Sequence, residues 1–374
     1  MVFLVAVAAI RKPRLFLYKP IPITYNCSKV GYNVRQRERF DVTVIGYQGK
    51  VEKMNTPIVD VIIPVYKPDK KMEHLIEKLV LQTVCPKQII LLNTECNPEY
   101  STVLIKERVE RLVAKLKVRK EEPIDIRIIT ILKEEFDHGA TRAYGSTLSN
   151  AEFLLYMTQD AIPKDVYLIE NLLKPFHQEE VAIVYGKQEA TMNANVIEQY
   201  TRLYNYPAQD SIKTKADKQA YGIKTYFCSN VCAIYRKKVY DQLGGFVKRT
   251  IFNEDMIFAA AAIEAGYFVA YASQAKVIHS HSYSLMEQLR RNFDLGVSQK
   301  EYKHVFATIS SEKEGMKFVK QTLSYLYDQK KYLEVFEFVM ESGFKYMGYF
   351  LGKRYHYLPK SLCQWLSMNK AYWE

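Results

Sequence analysis

The chain has 374 residues, 48% of them hydrophobic, enough for one large domain or two smaller ones with a full core. Its six cysteines (27, 85, 96, 228, 232, 363) include no C-x-x-C pair, which argues against a zinc site and makes reduced thiols in the cytosol the default reading. The net charge of +12 is uneven: residues 1–57 hold ten Lys and Arg against three acids, so the basic character is mostly N-terminal and argues against a nucleic-acid-binding core.

VFLVAVAAI, 2–10, is too short to span a bilayer and lacks a basic lead-in and a convincing cleavage site. It reads as a buried or irregular piece, or as sequence ahead of the true start. The first convincing strand follows Met54 directly, so residues 1–57 are expected to be a basic appendage to the working domain. VDVIIPVY, 59–66, is a β-branched run of the kind buried on both faces of a parallel sheet. HLIEKLVLQTV (74–84) has helical spacing, KQIILLNTE (87–95) is a second strand, and STVLIKERVERLVAKLKV (101–118) is a long amphipathic helix. IDIRIITI (124–131) is a third strand, GATRAYGSTLSNA (139–151) a helix with small residues on one face, and EFLLYMTQDAIP (152–163) a fourth strand. That βαβαβαβ order predicts a Rossmann-like parallel sheet wound with helices.

Further along, VYLIENLLKPF (166–176) reads as a helix and VAIVYGKQE (181–189) as a strand, while 193–220 reads as a polar, mobile stretch with Asn205-Tyr206-Pro207 inside it. FCSNVCAIYRKKVYDQLGGF (227–246) is a strand and then a helix closed by Gly244-Gly245. NEDMIFAAAAIEAGY (253–267) is a helix opened by acids, and FVAYASQAKVIHSHSY (268–283) is a strand running into a loop with two histidines. From 285 the pattern is helical. In the tail, Lys and Arg alternate with Tyr, Phe and Trp, a mixture suited to an anionic membrane surface.

There is no G-x-G-x-x-G, P-loop or G-x-S-x-G motif, so a dinucleotide fingerprint, a Walker site and a nucleophile elbow are all lacking. Ligands of wound sheets sit beyond the carboxyl ends of the strands. Pro64, Tyr66, Asn93, Gln159 and Asp160 all lie at such ends. A carboxylate closing an apolar strand is costly unless it is paired or binds a metal. Glu254-Asp255, His279, His281, Arg142 with Asp137-His138, and Arg290-Arg291 are the other polar groups that stand out. His279 and His281 alternate after a strand, so at most one is expected to face a site.

The ordered set VIIPVYK, FDHGATRAYG, TQDAIP, VYGKQ, FCSNVCAIYR, LGGF, NEDM and HSHSYS resembles the bacterial rhamnosyltransferases of glycosyltransferase family 2, over roughly 58–300 and more loosely in the tail. The resemblance implies an α/β GT-A fold in 58–300, followed by a helical, amphipathic, membrane-associating region in 301–374. It implies inverting transfer of L-rhamnose from dTDP-L-rhamnose to a surface polysaccharide, on a lipid-linked acceptor at the cytoplasmic face of the cell membrane. Rival readings keep the fold with galactose, glucose or an N-acetylhexosamine as the sugar, or make the chain an inactive scaffold at the membrane. By the same resemblance Asp160, with His281, holds Mg2+ or Mn2+ on the donor diphosphate. Thr158 and Gln159 stand where further carboxylate is usual; a cap on the turn before Pro163 is the alternative for Asp160. Asp255, beside Glu254, is implied as the base that takes the acceptor proton, although acids at a helix start are also favoured by its dipole. Arg142 and Arg291 are implied diphosphate partners; alternatively Arg142 pairs with Asp137, and Arg290-Arg291 form a basic helix face. Pro64, Tyr66 and Asn93 are implied to line the base and ribose pocket, with Gln159 also on the donor.

Overall fold

The computed structural model describes residues 57–116, 124–306 and 311–374; the basic segment 1–56, with its apolar stretch 2–10, lies outside the described residues. The expected alternation is present as β1 (Val59–Tyr66), α1 (Lys70–Val80), β2 (Gln88–Glu95), α2 (Thr102–Leu116), β3 (Asp125–Leu132), α3 (His138–Thr147) and β4 (Phe153–Met157). Next come β5 (Ile162–Pro163), α4 (Leu168–Leu173), β6 (Val181–Glu189), α5 (Val196–Asn205), β7 (Ser211–Lys213), β8 (Cys232–Arg236), α6 (Lys237–Gln242), α7 (Glu254–Glu264) and β9 (Phe268–Ile278). Helices α8 (Leu285–Glu301), α9 (Ser311–Asp328), α10 (Tyr332–Gly352) and α11 (Lys360–Leu366) follow, and short helical turns at Lys218–Tyr221, Lys303–Phe306 and Lys370–Trp373 lie between and after these elements.

The strands form one sheet in the order β3-β2-β1-β4-β8-β6-β9-β5, with β7 added on β9. β1 to β4 pair in parallel, β8 runs antiparallel to both β4 and β6, and β6 and β9 are again parallel. Strand parity sorts the core into two layers. Val59, Val61, Ile63 and Val65 of β1 join Leu155, Met157 and Ile234 in packing with Leu75, Ile76 and Leu79 of α1. Ile62, Tyr156 and Tyr235 face the other way, onto Tyr240, Phe246 and Phe258. The abundance of tyrosine is partly explained there, because these rings fill volume while their hydroxyls serve the polar groups above them.

Two expectations are corrected. Residues 193–220 contain α5 and β7. Helix α5 is capped by Asn195, whose side chain accepts the Glu198 N–H at 2.8 Å, and only Ile197 of the helix is buried. Its polar residues line a cleft, so the composition resembled a loop. The run 152–163 is also not one strand: it breaks after Met157, where Ala161 N–H returns to the Thr158 carbonyl, and Asp160 sits in that turn.

Helices α8 and α10 cross at very close range. A Cβ on Gly348 would lie 2.0 Å from the Leu289 carbonyl oxygen, and one on Gly352 would lie 2.1 Å from that of Phe293. Glycine is required at both positions for the backbones to meet. Among the described residues, no helix is long and apolar enough to cross a membrane.

Candidate active site

A cleft of about 640 Å³ opens beyond β4 and β9, bordered by α5, α7, α8 and α10. On one side the Asp160 turn meets the segment after β9. His279 Nε2 lies 3.5 Å and His281 Nε2 3.3 Å from Asp160 Oδ2. Both histidines therefore face Asp160, against the expectation that at most one would. Strand alternation ends with β9 at Ile278, and the irregular backbone beyond it is free to bring both rings to one side. Their planes are perpendicular, with centroids 4.4 Å apart.

The proton on His279 can be placed. Gln188 Oε1 accepts from the Arg202 guanidinium while its Nε2 donates to Ser229, so the group 3.0 Å from His279 Nδ1 is an acceptor. Nδ1 must carry the hydrogen, and Nε2 presents a lone pair to the carboxylate. Burial holds His279 down to about 3 and also lowers His281, so neither ring is cationic at neutral pH. A lone pair and a carboxylate at this range repel unless a cation joins them. One carboxylate and two imidazoles within 4.8 Å of one another thus fit a divalent cation, with its other positions left to phosphate and water oxygens.

The start of α7 supplies the acids. Asn253, just before it, is left-handed (φ 67°), a conformation asparagine tolerates, and its amide donates to Ser298 at 3.2 Å. Glu254 is buried: Oε1 accepts Asn230 Nδ2 at 3.1 Å and lies 3.2 Å from Arg142. Tyr235, from the aromatic core, donates to Asn230 Oδ1 at 2.7 Å and fixes that amide. Burial opposes the Glu254 charge, but Arg142, His138 and Asn230 together hold its carboxyl below the ordinary range. Asp255 behaves oppositely. Burial and the neighbouring Glu254 charge push it up to about 7, although it accepts the N–H groups of Asn230 (3.0 Å) and Met256 (2.8 Å). One acid is thus ionised and locked, while the other exchanges protons near neutrality, the split expected of a structural acid beside a general base.

The remaining expected residues are dispersed. Arg142 pairs with Glu254, and Asp137 instead caps α3, accepting Gly139 and Ala140 N–H at 2.7 and 2.9 Å. Gln159 is a brace, exchanging two 2.9 Å hydrogen bonds with the Tyr66 backbone. Asn93 is buried and donates to the Tyr100 carbonyl and to Thr102, so its amide is turned into the fold. Pro64 is half-buried within β1. Tyr66, by contrast, lines a second cavity of about 760 Å³ with Thr94, Lys133 and Phe136, at the carboxyl ends of β1, β2 and β3. His138, Phe252 and Arg291 border both cavities. The Arg291 guanidinium lies over the rings of Phe252 (4.7 Å) and Tyr283 (5.7 Å), whereas Arg290 turns away to Trp365 (5.5 Å). Asn230, Gln188, Arg202 and Glu198 escaped sequence reasoning. Asn230 and Gln188 had a signal, lying within the motifs FCSNVCAIYR and VYGKQ.

Known proteins share this chain's sequence and fold. The model of glycosyl transferase family 2 matches residues 60–244. The O-antigen chain rhamnosyltransferase RfbN of Salmonella typhimurium is 34% identical over 318 residues, 84% of this chain and 96% of that protein. WbaN of Salmonella anatum, also an O-antigen chain rhamnosyltransferase, is 38% identical over 250 residues, 66% of this chain and 78% of that protein. Among solved structures, the mannosyltransferase PcManGT of Pyrobaculum calidifontis, in complex with GDP-Man and Mn2+, matches with a TM-score of 0.55 at 12% identity, covering 80% of this chain and 88% of that one; the likeness concerns the GT-A fold alone. The family model and the relatives make this chain a member of glycosyl transferase family 2, a glycosyltransferase of the bacterial rhamnosyltransferase group.

Proposed function

We propose that the protein transfers L-rhamnose from dTDP-L-rhamnose to a growing surface polysaccharide on a lipid-linked acceptor, with inversion at the anomeric carbon. The observation that carries this reading is Asp255, a carboxyl held near neutrality in the same cleft as the Asp160–His279–His281 cluster. The O-antigen rhamnosyltransferases among its relatives support the sugar. The nucleoside is assigned to the second cavity, against Tyr66, and the diphosphate to its junction with the first, beside Arg291.

Asp160, His279 and His281 would hold Mg2+ or Mn2+, which when bound supplies positive charge to the departing diphosphate. The acceptor hydroxyl oxygen forms the new bond to the anomeric carbon as the bond from that carbon to the phosphate oxygen breaks. The dTDP leaves with the bonding pair, and an Asp255 oxygen takes the hydroxyl proton. Glu254 stays ionised and keeps Asp255 basic, while Arg142 balances Glu254. A scaffold without activity is disfavoured because the two histidines replace the ligands missing at Thr158 and Gln159.

On this reading the acceptor sits at the cytoplasmic membrane surface. Leu333 (81% exposed), Phe336 (67%), Met347 and Phe350 recur at helical spacing along α10, with the Arg354 guanidinium 3.7 Å from the Phe350 ring centroid. Such a face suits headgroup depth on an anionic bilayer. Incubation with a panel of nucleotide sugars tests the donor: dTDP-L-rhamnose is expected to be turned over. Turnover of a UDP-sugar in its place refutes the rhamnose assignment.

A further inference from the structure

The second cavity is not built by the sheet alone. Opposite Tyr66, Thr94 and Lys133 it is closed by Met368, Asn369, Lys370 and Ala371, far away in sequence. These residues are firmly held. Asp294 Oδ2 accepts the Met368 N–H at 2.9 Å, and Ser367 Oγ both donates to the Asn369 carbonyl and accepts its N–H at 3.0 Å. Tyr372 donates to Glu301 at 2.8 Å, and the Trp373 ring packs on Phe293 and Tyr355. The segment is therefore a fixed wall.

Its chemistry points to an anion. Lys133, Arg291 and Lys370 line this cavity together with the carboxylates of Glu134, Asp294 and Glu374, yet no ion pair occupies any of the three cations among the described residues. Asn369 Nδ2 is buried without a partner beside them, an unused donor, and the Asp294 Oδ1 acceptor and the Trp373 Nε1 donor nearby are likewise unused. We infer that residues 368–371 are part of the donor site and that Lys370 holds a phosphate oxygen of the bound nucleoside diphosphate. The inference rests on the assignment of the nucleotide to this cavity, and it adds a binding residue from outside the sheet.

The test is calorimetric titration of the full chain with dTDP and with thymidine in the presence of Mg2+. Lys370→Ala is expected to weaken dTDP about tenfold, the order of one charge-assisted hydrogen bond, and to leave thymidine unchanged; Lys370→Arg is expected to retain dTDP. Tyr66→Ala, on the opposite wall, separates the two readings. If Tyr66→Ala weakens dTDP and Lys370→Ala does not, the wall inference falls and the nucleotide assignment stands. If neither changes dTDP affinity, both fall. Lys370 is exposed and unpaired, so its variants should fold, which equal melting temperatures would verify.

Discussion

Asp255→Asn should make this protein more stable while disabling it. In the fold the Asp255 carboxyl rises from 3.8 to about 7, first through burial and then through the Glu254 charge. Its folded value lies above its unfolded value, so the native state binds more protons across that window. Stability therefore falls as pH rises from 3.8 to 7; the penalty is absent below the window and complete above it. The full displacement corresponds to about 4 kcal/mol. Asp255 is only half-buried, so solvent screening trims this figure, and asparagine gives up one of the acceptor bonds to Asn230 or Met256, at about 1 kcal/mol. A net gain on the order of 1–3 kcal/mol is expected at pH 8.5, shrinking toward pH 5. Urea unfolding of both proteins at the two pH values measures it. Turnover should fall about 10²- to 10⁴-fold, the usual worth of a positioned base, with dTDP binding kept. A variant whose relative stability is the same at both pH values refutes the electrostatic reasoning, and unchanged turnover removes Asp255 as the base.

Chelation with EDTA should abolish transfer and added Mn2+ or Mg2+ should restore it; indifference to EDTA removes Asp160 from a metal role. Gln188→Leu takes away the acceptor that fixes the His279 tautomer, so the Mn2+ concentration giving half-maximal activity should rise about 10- to 100-fold. Arg142→Met leaves Glu254 buried and ionised without its partner, and denaturant titration should show a loss of about 3–5 kcal/mol. A chain beginning at Met54 should fold and transfer sugar, as circular dichroism and a transfer assay would show.

Much of this was legible in the order of residues, because short-range patterns carry it. The β-branched run at 59–66 and the alternation after it dictate a wound sheet, and a carboxylate ending an apolar run marks the sheet's ligand-binding end. The acids opening α7 were also visible, as was their place among the motifs of the family. Strand parity failed at His279 and His281, since parity lapses where the strand does. Composition failed at α5, whose polar face lines a cleft rather than meeting open solvent. The partner of Arg142 turned out to be Glu254, 112 positions away, rather than its neighbour Asp137. By itself, then, the sequence determined the layer architecture, the strand-end carboxylate and the acid pair, since each follows from local periodicity. Tertiary structure alone decided which groups meet: the second imidazole on Asp160, the Tyr235–Asn230–Glu254 chain beside Asp255, and the wall at 368–371. Those juxtapositions depend on packing between distant segments, such as the glycine-tight crossing of α8 and α10, and no window along the chain contains them.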